Sequence, residues 1–312
     1  GRFVYPGAGS RLPNADTVAD NDSANPANTA VVPWGSELLA LWEAGSAHAV
    51  DPKTLKTRER IVWSTETDGL PFSAHPLFEP DGRMWNFGLA QWVGPSGSMA
   101  LYSASPGQGL ERVTLFELPF AGYMHSFAMT EQQLVFYLAP HVYGADSGAS
   151  YVEAHDWQPE RDGRLLVVDK ADFERRRWIE APAGFAFHLA DARSRPGGEI
   201  VLRAAWSPEP ALMDEAMFEV MCGASPQLGN APELVEIALS ARGQVRLERT
   251  GHHGEFPVVD PRRPSAFVVL AWDRELTVLD PRGRPRRLRV PGNVRLEEHR
   301  FAPRGERPGD GW

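Results

Sequence analysis

The fold prediction depends on the stretch Leu70-Pro71-Phe72-Ser73-Ala74-His75, because the same phrase returns twice along the chain. It recurs as Leu118-Pro119-Phe120-Ala121-Gly122-Tyr123-Met124-His125 and, more loosely, as Ala181-Pro182-Ala183-Gly184-Phe185-Ala186-Phe187-His188. Each copy combines a proline, aromatic or small residues and a histidine, and a strand-like stretch and a polar turn follow. The three histidines are 50 and 63 residues apart. This spacing suits the four-stranded blades of a β-propeller, which repeat about every 40 to 50 residues.

Turn residues divide the rest of the chain into short segments. The 312 residues include 29 glycines and 27 prolines, a share above the roughly 12% of average usage, and both are spread without a strict period. This distribution favours many short strands and excludes a helical bundle or a collagen-like chain. The stretches with strand-like composition are Glu37 to Leu41, Met84 to Leu89, Leu134 to Leu138, Leu165 to Val168, Ile200 to Trp206, Ala266 to Trp272 and Leu276 to Leu279.

Charge and composition exclude several classes of protein. The formal net charge is −9, which argues against a nucleic-acid partner because a phosphate backbone is bound by clustered lysine and arginine. One basic run, Arg282 to Arg289, is interpreted as a solvated turn. Cys222 is the single cysteine, so an intrachain disulfide cannot form, and the chain lacks an apolar run of 18 residues. We expect a cytoplasmic protein, with peripheral membrane contact as the alternative, and no obligate protein partner.

A helical insertion is predicted between two strands. Ala211 to Met221 places Leu212, Ala216 and Val220 on one helical face, beside several methionines. Residues 207–233 are therefore predicted to form a helical or loop insertion over the face of one partial propeller domain, residues 1–312. The helix either packs on the β core or forms a pliable, methionine-rich wall beside an apolar ligand.

The repeated histidines are the candidates for chemistry. Equivalent positions in different blades converge near the axis of a propeller, so His75, His125 and His188 are expected to meet there. Three buried imidazoles repel one another if protonated and need partners if neutral, and a divalent metal ion satisfies both conditions. The alternative is three core histidines bonded to the backbone. His48, His141, His155, His252, His253 and His299 are interpreted as structural or surface residues.

At these residues the chain resembles the carotenoid cleavage oxygenase family, which also includes retinal-pigment-epithelium isomerases and lignostilbene dioxygenases. The similarity covers essentially the whole chain in order and approximate spacing. The matching stretches are Asn25 to Thr29, Leu39 to Glu43, Asp51 to Leu55, Ser73 to Pro76, Tyr123 to Phe127 with Thr130-Glu131, Phe187 to Ala192, Gly254 to Pro257 with Asp260-Pro261-Arg262, and Glu298 to Pro303 before Asp310-Gly311.

The resemblance implies a seven-bladed β-propeller, here incomplete, with ferrous iron held on its axis by four histidines. Three of these positions correspond to His75, His125 and His188, and the fourth is expected beyond the end of this chain. His299 does not replace it, because it belongs to a different phrase. The family also places glutamates behind three of the ligands, and these correspond to Glu43, Glu255 and Glu298; the last of them would support the fourth histidine.

The chain departs from the family pattern at three positions. Ser126 stands where aspartate is usual, and Leu189 where a second histidine is common, but neither position is a ligand in the family. Trp42 stands where stilbene-cleaving members carry a lysine that holds a phenol oxygen. Because Trp42 offers no cation, this departure favours a polyene substrate over a phenolic stilbene.

These observations lead to two hypotheses of different classes. The first is a non-haem Fe(II) dioxygenase that uses O2 to cleave a conjugated double bond of a carotenoid or apocarotenoid into two carbonyl products. The second is a catalytically inactive propeller that serves as a binding module without the fourth iron ligand. A metal-dependent isomerase or hydrolase of the same fold is a third hypothesis.

The residues predicted to line the substrate are Trp92, Phe127, Phe185 and Met217. We also expect that the chain is part of a longer protein and is poorly soluble when expressed alone, because missing blades expose strand edges.

Overall fold

The computed structural model describes residue 22 and residues 25–91, 93–144, 154–217, 230–307 and 309–311. The chain divides into two compact units. The first consists of residues 1–126, 141–158 and 213–226, and the second of residues 127–140, 159–212 and 227–312.

The first unit contains two four-stranded antiparallel sheets and a two-stranded hairpin. Strands adjacent in sequence are neighbours in each sheet, which is the topology of a propeller blade. The first sheet consists of β1 (Ala30–Trp34), β2 (Glu37–Leu41), β3 (His48–Val50) and β4 (Thr57–Arg60). The second consists of β5 (Leu77–Phe78), β6 (Met84–Ala90), β7 (Ser98–Ser105) and β8 (Gly109–Glu117), and the hairpin of β11 (His141–Tyr143) and β12 (His155–Trp157).

The second unit contains three further four-stranded antiparallel sheets. Their first strands, β9, β15 and β19, are neighbours within this unit, with β15 in contact with both of the others. The first sheet consists of β9 (Ala128–Met129), β10 (Gln133–Leu138), β13 (Gly163–Asp169) and β14 (Arg176–Ala181). The second consists of β15 (Phe185–Arg195), β16 (Glu199–Ser207), β17 (Glu233–Leu239) and β18 (Val245–His253), and the third of β19 (Glu255–Val258), β20 (Val268–Trp272), β21 (Glu275–Leu279) and β22 (Pro285–Arg289).

The all-β prediction is confirmed, but the prediction of seven blades is wrong for the described residues, which form five. Seven blades of four strands would need 28 strands, whereas the described residues form 22, two of which make up the separate hairpin. The strands themselves lie close to the predicted stretches. The exception is Ala266 to Trp272: Pro264–Ala266 forms a 3-10 turn, so β20 begins only at Val268.

Burial follows the position of a strand within its sheet. Every residue of β6 is buried, as are most residues of β10, β16 and β17. Burying each large apolar side chain contributes about 1.5–3 kcal/mol, so these middle strands hold most of the core. The fourth strands carry charged residues and are more exposed than the middle strands, and β22 is exposed at every residue. The basic run predicted as a turn is therefore a turn followed by an edge strand, and arginines on an edge discourage pairing with other chains.

One short helix interrupts the β structure between β16 and β17. Leu212–Met217 is a π-helix, so the 3.6-residue periodicity assumed for residues 211–221 does not describe it. Residues 218–221 of the predicted helix lie outside the described residues, and the boundaries 207–233 of the insertion stay a prediction. Among the residues that the structure describes, no helix is long and apolar enough to span a membrane.

Four of the candidate site residues lie in, or just before, the first strands of sheets. His75 lies two residues before β5, and His125 lies three residues before β9. His188 lies inside β15, where the register with β16 shifts on either side of Leu189. Glu255 is the first residue of β19.

Candidate metal centre

In the first unit, His75 and His125 form a close pair. Their Nε2 atoms are 2.7 Å apart. Ser73 supports both residues: its hydroxyl accepts the backbone N–H of His75 at 3.2 Å and donates to the carbonyl of His125 at 3.4 Å. Two ligand nitrogens at this separation match neighbouring ligands of one metal ion, because metal–imidazole bonds are about 2.0–2.1 Å long.

Glu43 holds the other nitrogen of His125. Its Oε1 atom lies 2.9 Å from Nδ1 of His125. A carboxylate cannot donate a hydrogen bond, so this contact places a proton on Nδ1 and makes Nε2, the nitrogen directed at His75, the one with a lone pair. Carboxylate–histidine pairs of this kind fix the tautomer and raise the basicity of a metal-binding imidazole. Glu43 is one of the three glutamates that the resemblance places behind metal ligands, and in the structure it contacts His125.

Tyr123 also contacts this carboxylate. The Tyr123 hydroxyl donates to Oε1 of Glu43 at 2.8 Å, and the tyrosine is buried. The prediction from sequence missed this residue, although a signal was present. Tyr123 stands two residues before His125 in the repeated histidine phrase.

In the second unit, His188 is paired with Glu255. Oε2 of Glu255 lies 2.9 Å from Nδ1 of His188, and Glu255 has no exposed surface. The same oxygen accepts the backbone N–H of Phe256. Its second oxygen, Oε1, is buried and has no hydrogen-bond partner among the described residues. Glu255 thus contacts His188 as Glu43 contacts His125, and the support of a metal ligand stays a prediction for both.

Glu298 also contacts His188. Its Oε1 atom lies 3.0 Å from Nε2 of His188, so this carboxylate contacts a predicted ligand, and its support of a fourth histidine stays a prediction. His188 consequently lies between two carboxylates. Burial lowers its pKa, but the charges and hydrogen bonds of Glu255 and Glu298 outweigh burial and raise the pKa of His188 to about 9.

The donor set in each unit fits a divalent metal ion. The first unit supplies two imidazole nitrogens, one of them backed by a carboxylate, and the second supplies one imidazole backed by Glu255 and the carboxylate of Glu298. Imidazole nitrogens suit iron, zinc, copper and nickel alike, so the ligands by themselves do not choose among these metals.

Of the four residues predicted to line the substrate, the structure describes the side chains of two. Phe127 is buried and stacks on Phe136 with ring centroids 4.9 Å apart, and Phe185 is buried beside Phe187. Both therefore pack as core side chains, and their contact with a substrate stays a prediction. Trp92 and the side chain of Met217 lie outside the described residues.

Two histidines interpreted as structural belong to the hairpin of the first unit. His141 and His155 are buried, with ring centroids 5.1 Å apart. Nε2 of His141 lies 3.3 Å from Oδ1 of Asp214, and Nε2 of His155 is within hydrogen-bond distance of the Gln91 side-chain amide. Both histidines are therefore buried strand residues, whereas the sequence suggested turn or surface positions for them.

Comparison with known proteins identifies the family. A model of the family RPE65, retinal pigment epithelial membrane protein, matches residues 1–312. The chain belongs to this family of carotenoid oxygenases. The resemblance inferred from the histidine phrases and their flanking residues is confirmed.

Relatives in the family carry different substrate names. The chain is 28% identical over 293 residues to the apocarotenoid-15,15'-oxygenase of Synechocystis, an alignment that covers 86% of this chain and 58% of that protein. It is 29% identical over 168 residues to the isoeugenol monooxygenase of Pseudomonas nitroreducens, which covers 53% of this chain and 35% of that protein. The matched region thus spans between about a third and three fifths of these relatives.

Solved structures share the fold. The cobalt-substituted apocarotenoid oxygenase of Synechocystis superposes with a TM-score of 0.81 at 22% identity, covering 100% of this chain and 70% of that one. The fold class is accordingly an all-β propeller with few helices.

Proposed function

We propose that the protein is a non-haem iron oxygenase in which His75, His125 and His188 bind one Fe(II) ion. Glu43 and Glu255 hold the Nδ1 atoms of two of these ligands. The observation that supports this proposal most directly comes from the first unit. There Glu43 contacts Nδ1 of His125, and Nε2 of His125 lies 2.7 Å from Nε2 of His75. Family membership over the whole chain supports iron as the metal.

The protein's own groups have defined tasks in this proposal. A bound Fe(II) ion would supply the chemistry that combines O2 with an alkene. Glu43 and Glu255 keep Nδ1 of His125 and His188 protonated, so that both imidazoles present Nε2. Nε2 of His188 must lose its proton to bind a metal, and the neighbouring Glu298 carboxylate is placed to accept it.

The proposed substrate is an apolar conjugated polyene, such as a carotenoid or apocarotenoid. Cleavage of one double bond by one O2 molecule gives two carbonyl products and needs no external electron donor. The name of the Synechocystis relative supports this class, and so does Trp42, which offers no cation for a phenol oxygen. The name of the Pseudomonas relative supports a second candidate, a phenylpropenoid with a conjugated side chain.

The test is to measure iron content and products in the same preparation. The protein would be loaded with Fe(II) and incubated with an apocarotenoid and, separately, with isoeugenol under 18O2. We expect about one iron per chain and aldehyde products from the apocarotenoid, with label from O2. A folded preparation that takes up no iron would overturn the proposal and favour the inactive binding module. Iron uptake with isoeugenol as the only substrate would reverse the choice of substrate class, and products without label from O2 would indicate a hydrolase or an isomerase.

A further inference from the structure

We propose that Tyr123 is a positioning residue for the metal centre and that it acts through Glu43. This inference rests on the proposed function, because it concerns how His125 is prepared to bind a metal. Its basis is a chain of three side chains in the first unit. Tyr123 donates to Oε1 of Glu43 at 2.8 Å, and the same oxygen accepts Nδ1–H of His125 at 2.9 Å.

The distances show that the Tyr123 hydroxyl acts on the His125 imidazole through the Glu43 carboxylate and not directly. The Tyr123 oxygen is 3.4 Å from Nδ1 of His125, beyond the range of a strong hydrogen bond, and both atoms carry protons when they donate to Glu43. The phenol therefore reaches the imidazole through the carboxylate. A hydrogen bond from a neutral donor to a carboxylate is charge-assisted, which makes it short and directional.

Glu43 is more exposed than its counterpart in the second unit. The Glu255 side chain has no exposed surface, and its own oxygen accepts the backbone N–H of Phe256. The Glu43 side chain is 20% exposed, so burial alone does not hold its carboxylate in one rotamer. The hydrogen bond from the Tyr123 hydroxyl restrains this carboxylate.

The tyrosine is itself held by surrounding rings. Its ring is buried and makes edge contacts with His155 and His141, at centroid distances of 5.5 and 6.3 Å. His155 is in turn hydrogen-bonded to the side-chain amide of Gln91. The same amide nitrogen donates to the carbonyl of Gly122 at 2.8 Å. The hydroxyl of Tyr123 is therefore presented to Glu43 from a fixed position, as a positioning role requires.

The test compares Tyr123→Phe with Ser103→Ala, a control in the same unit. Ser103 is also buried, and its hydroxyl also donates to a carboxylate, Oε2 of Glu111 at 3.2 Å. Cobalt(II) binding would be titrated for the parent, both variants, Glu43→Gln and the double variant of Tyr123→Phe with Glu43→Gln. We expect Tyr123→Phe to weaken cobalt binding by about twofold to tenfold, the equivalent of one hydrogen bond, and Ser103→Ala to leave it unchanged. In the Glu43→Gln background, Tyr123→Phe should have no further effect.

A second measurement is independent of the metal. In the metal-free protein, 15N shifts of the histidine side chains report the tautomer of each imidazole, and we expect a lower share of the Nδ1–H form of His125 in Tyr123→Phe than in the parent. Equal tautomer populations in the two proteins would overturn the inference, and so would an effect on cobalt binding that persists in the Glu43→Gln background. If the parent itself binds no cobalt, the proposed function fails, and the 15N shifts alone decide the role of Tyr123.

Discussion

At the scale of single residues, the candidate centre depends on carboxylates that hold imidazoles. Glu43 and Glu255 both contact an Nδ1 atom at 2.9 Å, although the first lies in the turn between β2 and β3, the second begins β19, and they belong to different units. This repeated geometry is the structural basis for assigning Nε2 as the metal-binding nitrogen of His125 and His188. Two predictions belong to this scale.

Replacing Glu255 by glutamine should weaken metal binding. The substitution removes the buried negative charge that favours a proton on Nδ1 of His188, and loss of such a partner costs about 10- to 100-fold in affinity. Cobalt titration of Glu255→Gln measures the effect. Glu275→Gln, which changes a partly exposed glutamate in the same sheet, is the matched control and should bind like the parent. Equal affinities for parent and Glu255→Gln would contradict the assigned role.

The stability of the metal-free protein should depend on His188 at neutral to alkaline pH. Its pKa is raised from 6.5 to about 9 by Glu255 and Glu298, so the protonated ring stabilises the fold. This contribution is complete below pH 6.5 and is lost as the pH rises toward 9, with a slope of up to about 1.4 kcal/mol per pH unit. Urea unfolding with a chelator present, from pH 6 to 9, measures it. His188→Gln should lack this slope, and a parent protein with no excess slope over the variant would refute the expectation.

At the scale of elements, the loop before β5 places His75. Residues 71–76 run directly against β6, where Gly88 allows close approach of the backbone. A Cβ atom at Gly88 would lie 1.7 Å from the carbonyl oxygen of Pro71, so only glycine fits there. The same carbonyl accepts the Tyr102 hydroxyl, and His75 follows four residues later. One prediction belongs to this scale.

Gly88→Ala should destabilise the first unit and displace the loop that carries His75. The clash involves backbone, which cannot move without shifting the loop, and overpacking of this kind costs about 1–3 kcal/mol or more. Gly144→Ala is the control, because its Cβ would meet only ordinary contacts at 3.8 Å. Urea unfolding and cobalt titration of both variants test the expectation, and a Gly88→Ala protein as stable as the Gly144→Ala protein would show that the loop adapts.

At the scale of the whole molecule, two findings bear on function: the family to which the chain belongs and the share of its relatives' length that it matches. The chain covers 70% of the cobalt-substituted Synechocystis oxygenase, and the described residues form five four-stranded sheets. Cytoplasmic location, membrane contact and poor solubility of the chain alone stay predictions. One prediction concerns the molecule as a unit.

A metal ion bound by the proposed three-histidine site should stabilise the folded protein. At a free cobalt concentration 100 times the dissociation constant, the gain in unfolding free energy is about 2.7 kcal/mol. Thermal or urea unfolding at increasing cobalt concentration measures this gain. His125→Ala should abolish it, whereas His253→Ala, which changes an exposed residue of β18, should keep it. Equal stabilisation of both variants would show that cobalt binds elsewhere.

The features that could be predicted from the sequence share one property: each is encoded by a pattern of a few neighbouring residues. Strands such as β2 and β16 lie where short apolar stretches are bounded by glycine, proline and aspartate, because turn chemistry acts over a few residues. The three histidines were found because each sits in a repeated local phrase. The π-helix was not anticipated, since its sequence also suits an ordinary amphipathic helix.

Local sequence therefore specified the strands, the histidine phrases and the family, whereas tertiary structure specified the partners within each unit. Tyr123 and Glu43 are 80 residues apart, and His188 and Glu298 are 110 apart. No local pattern encodes such pairs, because a hydrogen bond over this separation exists only once the intervening strands have packed.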